Sequence, residues 1–161
     1  MNHPRHYFLH GLDSSSQGTK ARFFRAHFPT VVTPDFSGDL AERMVRLTEL
    51  LAGQHDIVLI GSSFGGLMAV IFAIEQPERI NRLILLAPAL NFPPFRQWHN
   101  RRSAAPTTLF IGRRDSVTPP ATVIPTAQRI FSRLDLHLVD DDHLLSRHFP
   151  EINWPELLGA G

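Results

Sequence analysis

Asp56-Ile57-Val58-Leu59-Ile60, then Gly61-Ser62-Ser63-Phe64-Gly65, then Gly66-Leu67-Met68-Ala69-Val70-Ile71-Phe72-Ala73 is the stretch whose reading decides the fold. A short β-branched run leads into a G-x-S-x-G motif, and an apolar run of helix length leads out of it. That is the setting of a nucleophile elbow. A serine on so sharp a strand-to-helix turn is forced into an unfavourable backbone conformation, and small residues two before and two after it let strand and helix approach. Gly61 and Gly65 fill those positions, which makes Ser63 the candidate nucleophile. The five-residue pattern alone is weak and occurs by chance in loops; its strand-turn-helix setting gives it weight.

Working outward, short apolar runs alternate with amphipathic stretches along the chain, with no linker, repeat or low-complexity segment between them. The alternation predicts an α/β fold, a parallel sheet with helices on both faces. Strands are expected at Arg5–His10, Thr30–Thr33, Asp56–Ile60, Arg82–Ala87, Thr107–Ile111 and Leu134–Val139. Helices are expected at Ser16–His27, Asp39–Ala52, Phe64–Glu75, Ala121–Ser132 and Ser146–Phe149. Asp13 with Ser14 to Ser16 reads as a cap for the first helix, and Leu40, Met44, Val45, Leu47, Leu50 and Leu51 form an apolar stripe on the second. The proline- and aromatic-rich stretch Asn91–Pro106 reads as a long loop.

The chain has 161 residues, the size of a single domain spanning 1–161. A net charge of +1, with no basic stripe, gives no case for nucleic acid. Fifteen of its 16 cationic side chains are arginine and Lys20 is the one lysine. Cysteine is absent, which removes disulfides, thiolate metal sites and a cysteine nucleophile together. No run reaches the roughly 18 apolar residues of a membrane span, and no basic region followed by an apolar stretch opens the chain. A cytoplasmic location fits both absences.

A serine hydroxyl is a poor nucleophile at neutral pH, so Ser63 needs a base and a third group to orient it. In sheets of this type the order is nucleophile, acid, histidine. Asp115 follows the strand Thr107–Ile111, and His143 follows the strand Leu134–Val139. Both fall at carboxyl ends of strands, on the sheet edge where Ser63 stands. Asp140, Asp141 and Asp142 are rivals for the acid role, or else cap the following helix and sit in water. The other histidines lack the spacing of metal ligands, so no metal is expected.

With these residues in view the chain resembles the α/β-hydrolase superfamily, and within it the small bacterial carboxylesterases and acyl thioesterases without a cap domain. The family's acid commonly stands in a G-x-x-D-x-x-V-P-like loop; Gly112 and Asp115 fall in place, and Val117 stands one position early, with Thr118 between it and Pro119. Its histidine stands in a short loop before the last helix, as His143 does. His10-Gly11-Leu12 matches the oxyanion loop. The resemblance implies that the backbone N–H groups of Leu12 and Phe64 hold the developing negative charge. Relative to that family, the chain begins at what would be the third strand, which implies a minimal three-layer fold of about six mostly parallel strands. It further implies a small-molecule ester or thioester substrate, an acyl-enzyme on Ser63 and no cofactor. Two other readings use the same scaffold: acyl transfer to an acceptor other than water, and a binding protein that has lost turnover. Epoxide hydrolases and haloalkane dehalogenases of this fold need aspartate at the elbow and are set aside.

For substrate contacts the candidates are His10, which either packs and hydrogen-bonds inside the oxyanion loop or meets substrate, and Phe92, Phe95 and Trp98, which either line an acyl pocket or cover the sheet edge. Arg101 and Arg102 are either solvated charge or a docking point for an anionic group such as coenzyme A phosphate.

Overall fold

The computed structural model describes residues 4–159. Five strands form one parallel sheet in the order β1 (Arg5–Leu9), β2 (Ile57–Ser62), β3 (Ile80–Leu86), β4 (Thr107–Gly112), β5 (Leu134–Val139). Alternation along the strands splits the core in two. Tyr7, Leu9, Ile57, Leu59, Leu83, Leu85, Leu109 and Ile111 face one layer, with α2 (Leu40–Leu50), α3 (Phe64–Glu75) and α4 (Pro120–Ile130). Phe8, Val58, Ile60, Ile84, Leu86 and Phe110 face the other, with Phe24 of α1 (Thr19–His27) and Trp154 of α5 (Trp154–Leu157). Helices thus cover both faces, and the central strands read as unbroken apolar runs because neither face meets water. α3 is buried from Phe64 to Ile74, as expected of a helix apolar on all sides. α2 opens with a capping box between Asp39 and Glu42.

The strand count differs from the sequence reading. Thr30–Thr33 is no strand: Val32 makes a single bridge to Tyr7, donating to the His6 carbonyl at 2.9 Å and accepting from Phe8 N–H at 2.8 Å. Pro29 and Pro34 flank the segment, and proline cannot donate to a ladder, so the pairing stops after one residue.

α1 starts at Thr19, three residues later than expected, without a side-chain cap. Ser16 is drawn elsewhere: its N–H and hydroxyl both donate to the Asp35 carboxylate at 2.7 Å. Those two bonds hold the Asp35 carboxyl below its ordinary pKa. The expected helix Ser146–Phe149 is replaced by a 3-10 turn at Phe149–Glu151 and by α5. Within Asn91–Pro106 a 3-10 turn spans Pro93–Trp98. Among the described residues no helix is long and apolar enough to cross a membrane.

Candidate active site

Ser63 sits between β2 and α3 with φ 54° and ψ −114°, a left-handed conformation that costs a non-glycine residue about 1–3 kcal/mol. The neighbours show why the turn is so tight. A Cβ on Gly65 would fall on the Leu9 carbonyl, and one on Gly61 would meet the Gly65 carbonyl and the Gly66 Cα. The Ser63 N–H donates to the Leu86 carbonyl at 2.9 Å, and its own carbonyl accepts from Ala89 N–H at 3.0 Å, which ties the elbow to the end of β3.

The hydroxyl of Ser63 lies 3.0 Å from His143 Nε2, and His143 Nδ1 lies 2.8 Å from Asp115 Oδ2. The Asp115 side chain is fully buried; the His143 ring is mostly so. Asp115 Oδ1 accepts the N–H groups of Val117 at 2.9 Å and Thr118 at 2.7 Å. The carboxylate is thereby fixed in plane and in rotamer. The two loops touch directly: Arg113 N–H donates to the Val139 carbonyl at 2.8 Å, Arg114 N–H donates to the Asp141 carbonyl at 3.1 Å, and a Cβ on Gly112 would strike that Asp141 carbonyl.

The three aspartates before His143 divide their work in a way the sequence did not show. Asp140 is exposed and pairs with Arg114 and Arg147. Asp141 turns inward, and its Oδ2 accepts Arg147 N–H at 3.1 Å, His148 N–H at 3.0 Å and His148 Nδ1 at 3.0 Å. Burial pushes the Asp141 carboxyl up, but the bonds from His148 and Asp142 more than offset this and leave it below its ordinary value. Asp142 accepts the Leu144 N–H at 3.1 Å. None of the three hydrogen-bonds to the His143 ring, and the expectation that they cap a following helix in water is corrected for Asp141, which is buried.

Ser63 and His143 open onto a cleft of about 550 Å³ whose walls include Leu12, Phe64, Phe92, Val117 and Leu144. Leu12, Val117 and Leu144 are large apolar side chains more than half exposed, and they form an apolar rim. A Cβ on Gly11 would stand 3.5 Å from the Ser63 Cβ. Among the described residues neither the Leu12 N–H nor the Phe64 N–H is engaged by another backbone acceptor. Behind Phe64 lies the buried Arg43, its guanidinium 5.3 Å from the ring centre.

Other expected contacts fall away from this cleft. His10 is buried, accepts Phe36 N–H on Nε2 at 2.9 Å and donates from Nδ1 to the Gly11 carbonyl at 2.7 Å; both ring nitrogens brace the loop and neither faces a substrate. Phe92 lines the cleft, edge-on to Phe64. Phe95 and Trp98 do not: they stack on each other against the core, and Trp98 reaches Glu75. Arg101 and Arg102 are exposed and off the cleft. Lys20 also lines the cleft and donates to the Leu144 carbonyl at 2.7 Å; burial lowers its pKa against the opposing pull of Asp141 and Asp142. Among the described residues no group of three or more histidine and acidic side chains converges to hold a metal ion.

Residues 9–100 match the sequence profile of the alpha/beta hydrolase fold. The chain belongs to that family. A protein assigned to the alpha/beta superfamily of hydrolases, from Xanthomonas campestris pv. campestris, superposes with a TM-score of 0.77 at 27% identity, over 96% of this chain and 98% of its own. An esterase from Pyrococcus furiosus shares the fold at 20% identity and a TM-score of 0.72, over 98% of this chain and 81% of its own. Homoserine O-acetyltransferase from Thermus thermophilus is 37% identical over 65 residues, which are 40% of this chain and only 17% of that enzyme.

Thr118 is the residue that the sequence reading passed over. Its hydroxyl is within bonding distance of both Asp115 and His143. An aspartate with threonine three residues on, ahead of a proline, is the signal of a side-chain-bonded turn, and it was legible in Asp115-Ser116-Val117-Thr118-Pro119.

Proposed function

We propose that this protein is a serine hydrolase that cleaves carboxylic esters through an acyl-enzyme on Ser63. The observation that carries the reading is the unbroken series Ser63, His143, Asp115 at 3.0 and 2.8 Å, on a strained elbow that opens to a cleft. Asp115 accepts the His143 Nδ1–H, which leaves Nε2 unprotonated to accept from the Ser63 hydroxyl. As Ser63 Oγ attacks the ester carbonyl, its proton passes to Nε2. The carbonyl oxygen takes the negative charge within reach of the Leu12 and Phe64 N–H groups, where each donor is worth about 10²–10³ in rate. Collapse expels the alcohol, which takes the proton from Nε2 and leaves the acyl group on Ser63. Water then attacks with His143 again as base, and the acid departs.

The apolar rim suits an uncharged acyl or alcohol group, and neither Arg101 nor Arg102 is among the residues that line the cleft. A fluorophosphonate probe tests the chemistry, because the same base and donors drive attack at phosphorus. The wild-type protein should label at Ser63 and hydrolyse short p-nitrophenyl esters; Ser63→Ala should do neither. A folded wild-type protein inert to both would leave the binding-protein reading. The stretch similar to homoserine O-acetyltransferase favours a second reading, acyl transfer to a hydroxyl acceptor by the same residues. Added small alcohols would then lower the yield of free acid without lowering the loss of ester.

A further inference from the structure

We propose that Thr118 is a positioning residue whose buried hydroxyl locks the acid and the base to each other; this rests on the proposed function of Ser63, His143 and Asp115. Thr118 Oγ1 lies 2.7 Å from Asp115 Oδ2 and 3.1 Å from His143 Nδ1, and those two atoms lie 2.8 Å apart. The three atoms form a nearly equilateral triangle. A hydroxyl has one proton to donate. Its possible acceptors are Asp115 Oδ2 at 2.7 Å and the Ala87 carbonyl at 3.4 Å, and the short contact to a carboxylate takes it. The lone pairs of Oγ1 then face His143, so the Nδ1–H is shared between Oδ2 and Oγ1.

Two consequences follow from this triangle. Rotation of the imidazole away from Ser63 breaks two contacts at Nδ1 where a simple acid–base pair would lose one. Rotation of the carboxylate breaks the bond to Thr118 Oγ1 as well as those to the Val117 and Thr118 N–H groups. Thr118 is itself held firmly. It is 1% exposed, so no bulk water replaces its hydroxyl, and it precedes Pro119, the residue that caps α4. Its β-branched side chain has few rotamers to choose from.

The hydroxyl and the methyl group of Thr118 can be separated by substitution, which makes the test sharp. Thr118→Val keeps the shape and removes the hydroxyl; Thr118→Ser keeps the hydroxyl and removes the methyl. The rate of fluorophosphonate labelling at Ser63 and kcat for a p-nitrophenyl ester should fall about tenfold to a hundredfold in Thr118→Val, the factor that one hydrogen bond to a charged group is worth. KM should stay within about twofold, since Thr118 orients the base and Ser63 chemistry rather than ester binding. Thr118→Ser should keep the wild-type rate within about threefold. The proton resonance of His143 Nδ1–H should move in the valine variant and return in the serine variant. If the valine variant does not fold, Thr118→Ala read against Thr118→Ser makes the same comparison. Wild-type rate and resonance in the variant without a hydroxyl overturn the proposal, as does equal slowing in Thr118→Ser, which would assign the effect to packing. Turnover retained in Ser63→Ala would instead overturn the proposed function, whatever Thr118 does.

Discussion

Asp115→Asn separates orientation of the base from every other part of the site. Asp115 Oδ1 accepts two backbone N–H groups at 2.9 and 2.7 Å, so an asparagine keeps its carbonyl oxygen there; reversed, its amide would face two donors inside the protein. The amide nitrogen therefore takes the place of Oδ2, toward His143 and Thr118. It can donate to His143 Nδ1 only if that nitrogen has lost its proton, and to Thr118 Oγ1 only if the hydroxyl turns to the Ala87 carbonyl at 3.4 Å. Both adjustments are open, and the buried site stays bonded throughout. The histidine, however, is now protonated on Nε2 and donates to Ser63 instead of accepting from it. The same tautomer error in chymotrypsin-type enzymes costs about 10⁴ in kcat, and a loss of about 10³–10⁴ is expected here, with KM within a few fold. Stopped-flow or end-point hydrolysis of a p-nitrophenyl ester measures the first, and a thermal melt within a few degrees of wild type shows that the fold survives. A folded Asp115→Asn variant with near wild-type turnover would refute the role of Asp115.

Two further outcomes follow from the loop that holds His143. The Asp141 carboxyl lies below its ordinary value in the folded chain, so its contribution to stability is full above about pH 4 and is lost as pH falls through the depressed value. Asp141→Asn should lower stability at neutral pH by about 1–3 kcal/mol, since bonds from His148 and Arg147 weaken, and should flatten the acid limb of a melting-temperature profile. Gly112→Ala places a methyl group against the Asp141 carbonyl and should push the acid and base loops apart. Ser63 labelling should fall at least tenfold for about 1–3 kcal/mol lost in a melt; an unchanged labelling rate would show that the loops are set elsewhere.

What could be read from sequence was what local rules govern. The elbow was legible because an apolar strand, two close-approach glycines and an apolar helix are adjacent in the chain. Asp115 and His143 were legible because chain order and the carboxyl ends of strands restrict where partners can stand. One misreading had a local cause, and the others came from contacts made at a distance. Thr30–Thr33 has strand-forming residues but lies between two prolines. Ser16 has the chemistry of a cap, yet Asp35, far along the chain, holds it. Asp140, Asp141 and Asp142 are alike in sequence, and only the path of the backbone turns the second inward. Phe95, Trp98, Arg101 and Arg102 share an irregular loop, where no period tells which side chains face the cleft.

The gap between Ser63 and Asp115 explains why three loops are needed to bring Ser63, His143 and Asp115 into one series. Ser63 follows β2 and Asp115 follows β4, with β3 between them. Two strand spacings make about 9.6 Å, more than a serine and an aspartate side chain can close by meeting directly. An imidazole with a hydrogen bond on each nitrogen does close it, provided that it enters from outside. His143 does so: its loop leaves β5, beyond β4, and folds back over the sheet edge, held to the β4 loop by the Arg113 and Arg114 N–H bonds. The end of β3 fills the ground between, where the Leu86 and Ala87 carbonyls meet Ser63 N–H and the Thr118 hydroxyl. Strand order thus fixes which loops can face one another, while the bonds beyond the strand ends fix the last few tenths of an ångström on which the proposed proton transfer depends.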